Sequence, residues 1–380
     1  MEERVFENKR LIAFVSNSAW SVYNFRLDVL RHLKEQGYEI LVIAPDDEYS
    51  GLLIKEGFRF LALEFNNRSE NPIRDLRLYW RLRSIYRRLK PDFIFHYVVK
   101  PNIYGSLAAH ADNLKSISVV TGLGYAFARK NWLYRLTKFL YRISLKRAKE
   151  VWFLNNEDAK IFTSQHIVNI RKMKVLPGEG VNTDYFSKLN FNSSPKERFV
   201  FLMSTRLLKS KGVSIYVDAA RILKRKGIFA DFDLIGFFEK HHPDSIAEKD
   251  LKKWETEGLV NYRGFARDVR EFLASADCFI FPSFYHEGIP KCLMEAASME
   301  LPIITSLNRG CKEVVTEGLN GFICNSNDPF DLADKMEKMI NLSRDERLRM
   351  GKSGRQLVVK KFNVLQVIGE YERTLSTFLK

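Results

Sequence analysis

Short apolar runs without polar alternation recur along this 380-residue chain, and amphipathic helical stretches separate them. Leu11-Ile-Ala-Phe-Val15 is the first run. Glu39 to Ala44, Phe93 to Val99, Ile117 to Thr121 and Val151 to Leu154 repeat it. A strand that is apolar at every position must be covered on both faces. A parallel sheet between two helical layers meets that demand. Tyr23 to Gln36, stopped by Gly37, reads as the first covering helix. The alternation then starts again, with strands at Phe199 to Ser204, Phe232 to Ile235, Cys278 to Phe281 and Pro302 to Ser306, and a helix at Gly212 to Lys226. The polar stretch Phe186 to Glu197 reads as the linker between the two halves.

The chain is too long for one ordinary domain and suits two. The expected architecture is α/β, with two doubly wound Rossmann-like domains facing a cleft. The first domain is expected over 1–186 and the second over 198–355. A C-terminal helix within 356–380 is expected to pack back on the first domain. Open parallel sheets bind ligands beyond the carboxyl ends of their strands, so the loops there are where chemistry is sought.

In the second half, one such loop is Thr205-Arg-Leu-Leu-Lys-Ser-Lys-Gly212. Arg206 and Lys211 precede a helix. Arg can fork onto two phosphate oxygens and Lys acts as a point charge, a pairing that suits a diphosphate. Taken alone, the segment reads equally well as two solvated loop charges. A second loop carries two carboxylates, Glu287 and Glu295, within Phe281-Pro-Ser-Phe-Tyr-His-Glu-Gly-Ile-Pro-Lys-Cys-Leu-Met-Glu295. Pro290 and the Ala-rich stretch after it read as a helix start, whose N–H groups suit an anion. Glu287 also reads as an ordinary loop acid, and Glu295 as an exposed helical one. However, Glu295 lies among Cys292, Leu293, Met294, Ala296 and Ala297. A carboxylate in such company requires a specific partner. Cations for phosphate and carboxylates for hydroxyls together describe a site for a nucleotide-sugar.

These motifs resemble those of the retaining family 4 glycosyltransferases, which share the glycosyltransferase B fold of two Rossmann-like domains. The matching phrases are Arg206-Leu-x-x-x-Lys211-Gly212, Arg263-Gly264-Phe265, Glu287-Gly288 with Glu295-Ala296, Gly310-x-x-Glu313 and Gly318-x-x-Gly321-Phe322. The resemblance implies that Arg206 and Lys211 hold the donor diphosphate and stabilise charge on it during transfer. It implies that Glu295 accepts ribose hydroxyls and that Glu287 contacts the transferred sugar. Gly288, Ile289, Pro290 and Lys291 would meet sugar and phosphate oxygens through their backbone, and Phe265 would meet the base. Gly310, Gly318 and Gly321 read as turn glycines. No Asp-x-Asp metal motif lies near the site. The expectation is therefore no metal and no cofactor, with a nucleotide-sugar, UDP-linked, as donor substrate.

The first half is expected to bind the acceptor. Tyr23-Asn-Phe-Arg26, Lys100-Pro-Asn-Ile-Tyr-Gly105 and Thr121-Gly-Leu-Gly124 resemble phrases of a bacterial subgroup acting on lipid-linked oligosaccharide and surface-polysaccharide intermediates. Undecaprenyl-diphosphate-bacillosamine N-acetylgalactosaminyltransferases belong to that neighbourhood. The first loop, Ser16-Asn-Ser-Ala-Trp20, lacks the Gly-Gly pair common in the family. Thr121-Gly-Leu-Gly124 stands where a histidine is common. Ser18, Lys100, Asn102 and Thr121 are the acceptor-side candidates, with a loop held by Pro101 the alternative for the two middle ones. Arg26 reads as a structural or salt-bridging residue. The implied reaction moves a hexose or N-acetylhexosamine from the donor to a lipid-linked saccharide in O-antigen, capsule or glycoprotein-oligosaccharide assembly.

Net charge is +15, which predicts a polyanionic partner. Residues 129–149 carry eight basic residues and no acid, and 74–90 carry seven against one Asp. In the former, Arg135, Lys138, Arg142, Lys146 and Lys149 make one stripe, and Trp132, Leu136, Phe139 and Ile143 another. The apolar stripe is expected to cover the sheet and the basic surplus to face an anionic membrane. No apolar stretch reaches the ~18 residues that span a bilayer, and the charged start lacks a signal-peptide core. A cytoplasmic protein held peripherally at the inner membrane face is expected. The four cysteines, Cys278, Cys292, Cys311 and Cys324, have no metal-ligand spacing. Two alternatives remain: a sugar-nucleotide epimerase of the same fold, and a basic nucleic-acid- or membrane-binding module without catalysis. Epimerases lack this order of Arg206, Lys211, Glu287 and Glu295. Base stacking needs aromatics interleaved with cations on an exposed sheet or groove, whereas the strands here are apolar. No nucleic-acid partner is therefore expected.

Overall fold

The structure is a computed structural model that describes residues 9–64, 72–123, 132–191, 197–239, 242–285 and 288–380. It divides into two compact units, Met1–Glu179 with Val364–Lys380, and Gly180–Asn363. These divisions replace the expected breaks at 186–198 and 355/356. The residues just past Glu179 belong to the second unit because Val181 and Phe186 bury in its core. The returning segment starts at Val364, because the helix before it, Arg344–Lys361, packs on the second unit through Val358.

The first unit is a seven-stranded parallel sheet of order β3-β2-β1-β4-β5-β6-β7. Its strands are β1 Leu11–Val15, β2 Glu39–Ala44, β3 Arg59–Ala62, β4 Phe93–Tyr97, β5 Ser116–Val120, β6 Val151–Phe153 and β7 Met173–Val175. Ile12 pairs with Ile40 on one side and Phe93 on the other. Ile12, Phe14, Phe95 and Trp152 face α1 (Ala19–Glu35) and the C-terminal helix Val364–Phe378, which contributes Val367, Ile368 and Tyr371. On the opposite face, Ala13, Val15 and Ile94 meet α2 (Pro72–Leu89) and α3 (Ser106–Ala111). Val120, Val151 and Phe153 of that same face meet α4 (Trp132–Ser144) and α5 (Asn156–Ser164).

Helix α1 starts earlier than the expected Tyr23. Ser18 caps it, its hydroxyl accepting from Ser21 N at 3.2 Å, and Ala19 and Val22 already bury. Strand β4 stops at Tyr97 rather than Val99, because Val98 takes φ +61 and a π-helical turn, Pro101–Gly105, follows. Gly105 ends that turn where nothing larger fits: a Cβ there would lie 2.5 Å from Cδ2 of buried His96. His96 is bonded to Tyr86 OH at 2.9 Å and Ser106 Oγ at 3.2 Å, and burial pushes its imidazole down to about 3.

The apolar stripe of α4 does not cover the sheet. Trp132 and Phe139 are 60% and 56% exposed, and Leu136 and Ile143 are exposed with them. The sheet side is instead Thr137, Tyr141 and Ser144, followed by Leu145 and Ala148. Helix α4 also ends at Ser144, so Lys146 and Lys149 lie beyond it. Residues 129–131 and Gly124 lie outside the described residues. On α2, Leu76 and Trp80 are exposed among Arg77 and Arg81. Among the described residues, no helix is long and apolar enough to cross a membrane.

The second unit repeats the architecture with six parallel strands, β10-β9-β8-β11-β12-β13. They are β8 Val200–Ser204, β9 Asp231–Ile235, β10 Asn261–Tyr262, β11 Cys278–Phe281, β12 Ile303–Ser306 and β13 Gly321–Cys324. Helices α6 (Val213–Arg225) and α8 (Pro329–Asn341) bury Val217, Ala220, Leu332 and Met336 against one face. Helices α7 (Lys291–Ser298) and α9 (Arg344–Lys361) bury Leu293, Met294, Ala297 and Val358 against the other.

Candidate functional site

Strand order reverses between β8 and β11, the switch point at which a doubly wound sheet opens a crevice. The loops leaving these two strands are the two that carry the motif residues of the second half. Arg206 follows β8, and a 3₁₀ turn, Lys209–Lys211, leads through Gly212 into α6. Gly212 is required twice over. Its φ is +86, and a Cβ would lie 2.3 Å from the Pro282 carbonyl oxygen. The loop after β11 is bonded onto the first: Phe284 N and Tyr285 N donate to Ser210 O at 3.0 and 3.1 Å.

Lys211 is buried, with Nζ 5.3 Å from the Tyr285 ring centroid and 5.8 Å from that of Phe281. Its charge is thus aimed by two aromatic faces. Arg206 is about one-third exposed and donates from Nη1 to Glu239 Oε2 at 2.7 Å. The β8 loop is fixed from a second side by Asp244, whose Oδ2 accepts from Ser210 N at 2.8 Å.

Pro290 precedes α7, and no side chain caps that helix among the described residues. Gly288, Ile289 and Lys291 are half-buried and Pro290 is buried. Gly310, expected in a turn, has an ordinary φ of −70. It is glycine because a Cβ would lie 1.3 Å from the Gly288 carbonyl oxygen. Gly321 likewise sits against the Ile303 carbonyl, while Gly318, at φ +73, is a turn glycine. Glu287 lies outside the described residues.

Glu295 is half-buried one turn into α7. Burial raises its carboxyl above the usual carboxylate range; Lys291 opposes that and Asp268 adds to it. Among the described residues no hydrogen bond or ion pair satisfies its side chain. Asp268 belongs to the loop that carries Phe265. The Phe265 ring is half-exposed and meets Phe237 edge-on at 5.7 Å. The cations, the start of α7, the unsatisfied carboxyl and an exposed aromatic ring therefore lie on loops, or on the helix that follows one, after strand carboxyl ends of this sheet.

The acceptor-side candidates of the first unit fare differently. Asn102 is fully buried and donates to Val119 O at 2.9 Å, so it ties the π-helical turn to β5. The Ser18 hydroxyl serves as the α1 cap. Lys100 donates to Asp75 Oδ1 at 2.6 Å, and Tyr104 donates to the other oxygen at 3.1 Å. Thr121 is half-buried past the end of β5. Arg26 is buried and ion-paired with Glu179, with its guanidinium 4.0 Å over the Tyr97 ring.

Sequence reasoning passed over Glu239, Asp244 and Asn308. Asn308 donates to Ser283 O at 3.2 Å and to Tyr285 O, bracing the β11 loop. Each of the three follows a strand's carboxyl end, a position that marks a candidate even where no motif does.

Residues 186–357 match the family model of glycosyl transferases group 1, and residues 11–155 match glycosyl transferase 4-like. Over 354 residues the chain is 30% identical to the N,N'-diacetylbacillosaminyl-diphospho-undecaprenol alpha-1,3-N-acetylgalactosaminyltransferase of Campylobacter jejuni, covering 89% of this chain and 91% of that one. Over 311 residues it is 25% identical to the UDP-Gal:alpha-D-GlcNAc-diphosphoundecaprenol alpha-1,3-galactosyltransferase of Escherichia coli, covering 77% of each. Among solved structures, a glycosyltransferase from Rickettsia africae shares the fold with a TM-score of 0.80 at 21% identity, over 98% of this chain and 99% of that one. Anabaena HepE in complex with UDP shares it with a TM-score of 0.78 at 18% identity, over 97% and 100%.

Two Rossmann-like units, with a cation loop and a carboxylate helix at the switch point of the second, define a glycosyltransferase of the B fold. The chain belongs to the family 4 glycosyltransferases and is a hexosyltransferase.

Proposed function

We propose that this enzyme moves a hexose or N-acetylhexosamine from a UDP-sugar to an undecaprenyl-diphosphate-linked saccharide, with retention of anomeric configuration. The observation that carries the donor reading is the Glu295 carboxyl, raised by burial and unsatisfied among the described residues, on the helix that follows the cation loop's partner. A ribose offers the hydroxyl donors such a carboxylate lacks. Arg206 and Lys211 take the diphosphate, and Phe265 lies beside the base. Glu287 contacts the transferred sugar.

Breaking the anomeric bond leaves added negative charge on the diphosphate. Lys211 is held in advance by its packing, so it stabilises that charge without reorganising. Removing one such group costs about 2.7–4 kcal/mol of barrier. In this reading the two cations do what a divalent metal does in other transferases. The acceptor hydroxyl attacks on the leaving-group face and passes its proton to a donor phosphate oxygen. The names of the Campylobacter and Escherichia relatives support a lipid-diphosphate acceptor, and the latter name supports UDP.

A lipid-linked acceptor places the enzyme at the inner face of the cell membrane. The exposed Trp132, Leu136, Phe139 and Ile143 of α4, interleaved with Arg135 and Arg142, support that location. So do Leu76 and Trp80 among the arginines of α2, because both helices cover the same face of the first sheet. Each basic residue near an anionic leaflet adds about 1 kcal/mol.

Calorimetric titration with UDP, GDP and ADP, followed by turnover with a panel of UDP-sugars, tests the donor reading. UDP is expected to bind, and Arg206→Ala to weaken it sharply. Failure of all three nucleotides to bind refutes it. Loss of turnover with a chelator refutes the metal-independent reading.

A further inference from the structure

Glu239 belongs to none of the motifs, yet it is the residue that grips Arg206. The loop after β9 runs back along the β8 loop and is bonded to it repeatedly. Leu207 N donates to Phe237 O at 3.0 Å, Lys209 N to Asp244 O at 2.8 Å, and Ile246 N to Leu207 O at 2.9 Å. Asp244 Oδ2 adds the bond from Ser210 N. Gly236, where the loop begins, is pressed onto the Thr205 carbonyl, since a Cβ there would lie 1.8 Å from that oxygen. Glu239 therefore reaches Arg206 from a backbone fixed against the same loop that carries Arg206.

The contact is one-pronged. Of the Arg206 nitrogens it is Nη1 that donates to Glu239 Oε2, and among the described residues Nε and Nη2 of Arg206 have no hydrogen-bond partner. A guanidinium is a rigid planar fork, so fixing one nitrogen and the plane fixes the rest. The Nε–Nη2 edge is one of its two bidentate edges, and bidentate phosphate binding needs a whole edge. A carboxylate that merely competed with phosphate would be expected to occupy an edge through two oxygens.

We infer that Glu239 is a positioning residue. It holds Arg206 by Nη1 and presents the Nε–Nη2 edge to the donor diphosphate. This rests on the reading of Arg206 as a diphosphate ligand. Glu239 itself does not touch the donor, and its carboxylate remains on Arg206 throughout binding.

The test is a double-mutant cycle in UDP affinity, measured by calorimetry on the full chain, with circular dichroism confirming the fold of each variant. Glu239→Ala is expected to weaken UDP about tenfold, and Glu239→Gln, which keeps an acceptor oxygen, to restore most of that loss. Glu239→Asp keeps the charge but shortens the reach, and it is expected to behave like Ala. In an Arg206→Ala background, Glu239→Ala should change affinity less than about twofold, a non-additivity that a merely structural role does not produce. Tighter UDP binding by Glu239→Ala overturns the inference and marks a competitor. Equal losses in both backgrounds overturn it too. Normal weakening by Arg206→Ala with none by Glu239→Ala sinks this inference alone. Wild-type affinity in Arg206→Ala sinks the donor-site reading and takes this one with it.

Discussion

The Gly310 backbone rests against the peptide of Gly288, so that a Cβ on Gly310 would lie 1.3 Å from the Gly288 carbonyl oxygen and 3.1 Å from Ile289 N. Both neighbours are backbone, and neither can swing away as a side-chain end can. The turn at Cys311–Glu313 is thereby the floor on which the peptides leading into α7 are laid. Gly310→Ala must push those peptides off their positions. Overpacking of this kind costs about 1–3 kcal/mol. The expected outcome is a lowered melting temperature together with weakened UDP binding. Gly318→Ala is the control. Its φ of +73 makes alanine strained, but a Cβ there meets nothing within 4 Å, so it should cost stability while leaving UDP affinity intact.

Glu295 gives a pH signature. Its carboxyl is raised by burial, so the folded protein holds the proton better than the unfolded chain does. Its contribution to stability is therefore most favourable below the ordinary carboxylate value. That contribution declines as pH rises through the raised one. At neutral pH the carboxylate is a net cost to the ligand-free fold, and Glu295→Gln should raise the melting temperature there. The same change should weaken UDP about 10–100-fold, the loss of a hydrogen bond to a charged group. Wild-type UDP affinity should fall as pH drops through the raised value, and the Gln variant should not share that fall. Melting curves and calorimetry at pH 5 and pH 8 check all of this.

The parts of the fold that depend on local composition were readable from the chain. Buried runs such as Leu11–Val15 and Cys278–Phe281 are apolar at every position, and only a sheet covered on both faces accepts them. The cation and carboxylate loops stood out only in combination, since each alone reads as ordinary solvated charge at a strand end. What could not be read depends on contacts between distant segments. Gly310 is glycine because of Gly288, and Gly105 because of His96. Asn102 looked like a loop polar group and is instead bonded to Val119, 17 positions away. The unit boundary shifted because Val181 and Phe186, in a stretch that is otherwise polar, bury against α7 and α9. Helical periodicity separated the two stripes of α4, but it could not say which side of the helix the sheet would take.

Arg26 and Glu179 form a buried ion pair inside the first unit, with exposures of 3% and 11%. The pair lies against Tyr97, whose hydroxyl is 2.6 Å from that of Tyr371 on the C-terminal helix. Removing one partner leaves an uncompensated buried charge, which costs about 3–5 kcal/mol. Glu179→Ala should lower the urea midpoint accordingly. Arg26→Met with Glu179→Leu removes both charges and should recover much of that loss. Midpoints that order the other way would mean that Arg26 is held mainly by the Tyr97 ring.

Substitutions on the exposed side of α4 test the proposed lipid binding apart from stability. Trp132 and Phe139 are more than half exposed, so replacing them removes little packing. Trp132→Ser with Phe139→Ser should leave the melting temperature within about 2 °C, since surface changes stay within about 0.5 kcal/mol. The same pair should release the enzyme from vesicles containing phosphatidylglycerol in a sedimentation assay. Arg135→Gln with Arg142→Gln should do so in a salt-dependent way, because the charge component is screened over about 10 Å at 0.1 M salt. Turnover on a short-chain, water-soluble acceptor should be unchanged in both variants, while turnover on a vesicle-borne acceptor should fall. Equal recovery of wild type and variants in the vesicle pellet would remove α4 from the docking face. Loss of turnover on the soluble acceptor would instead place these side chains in the reaction itself.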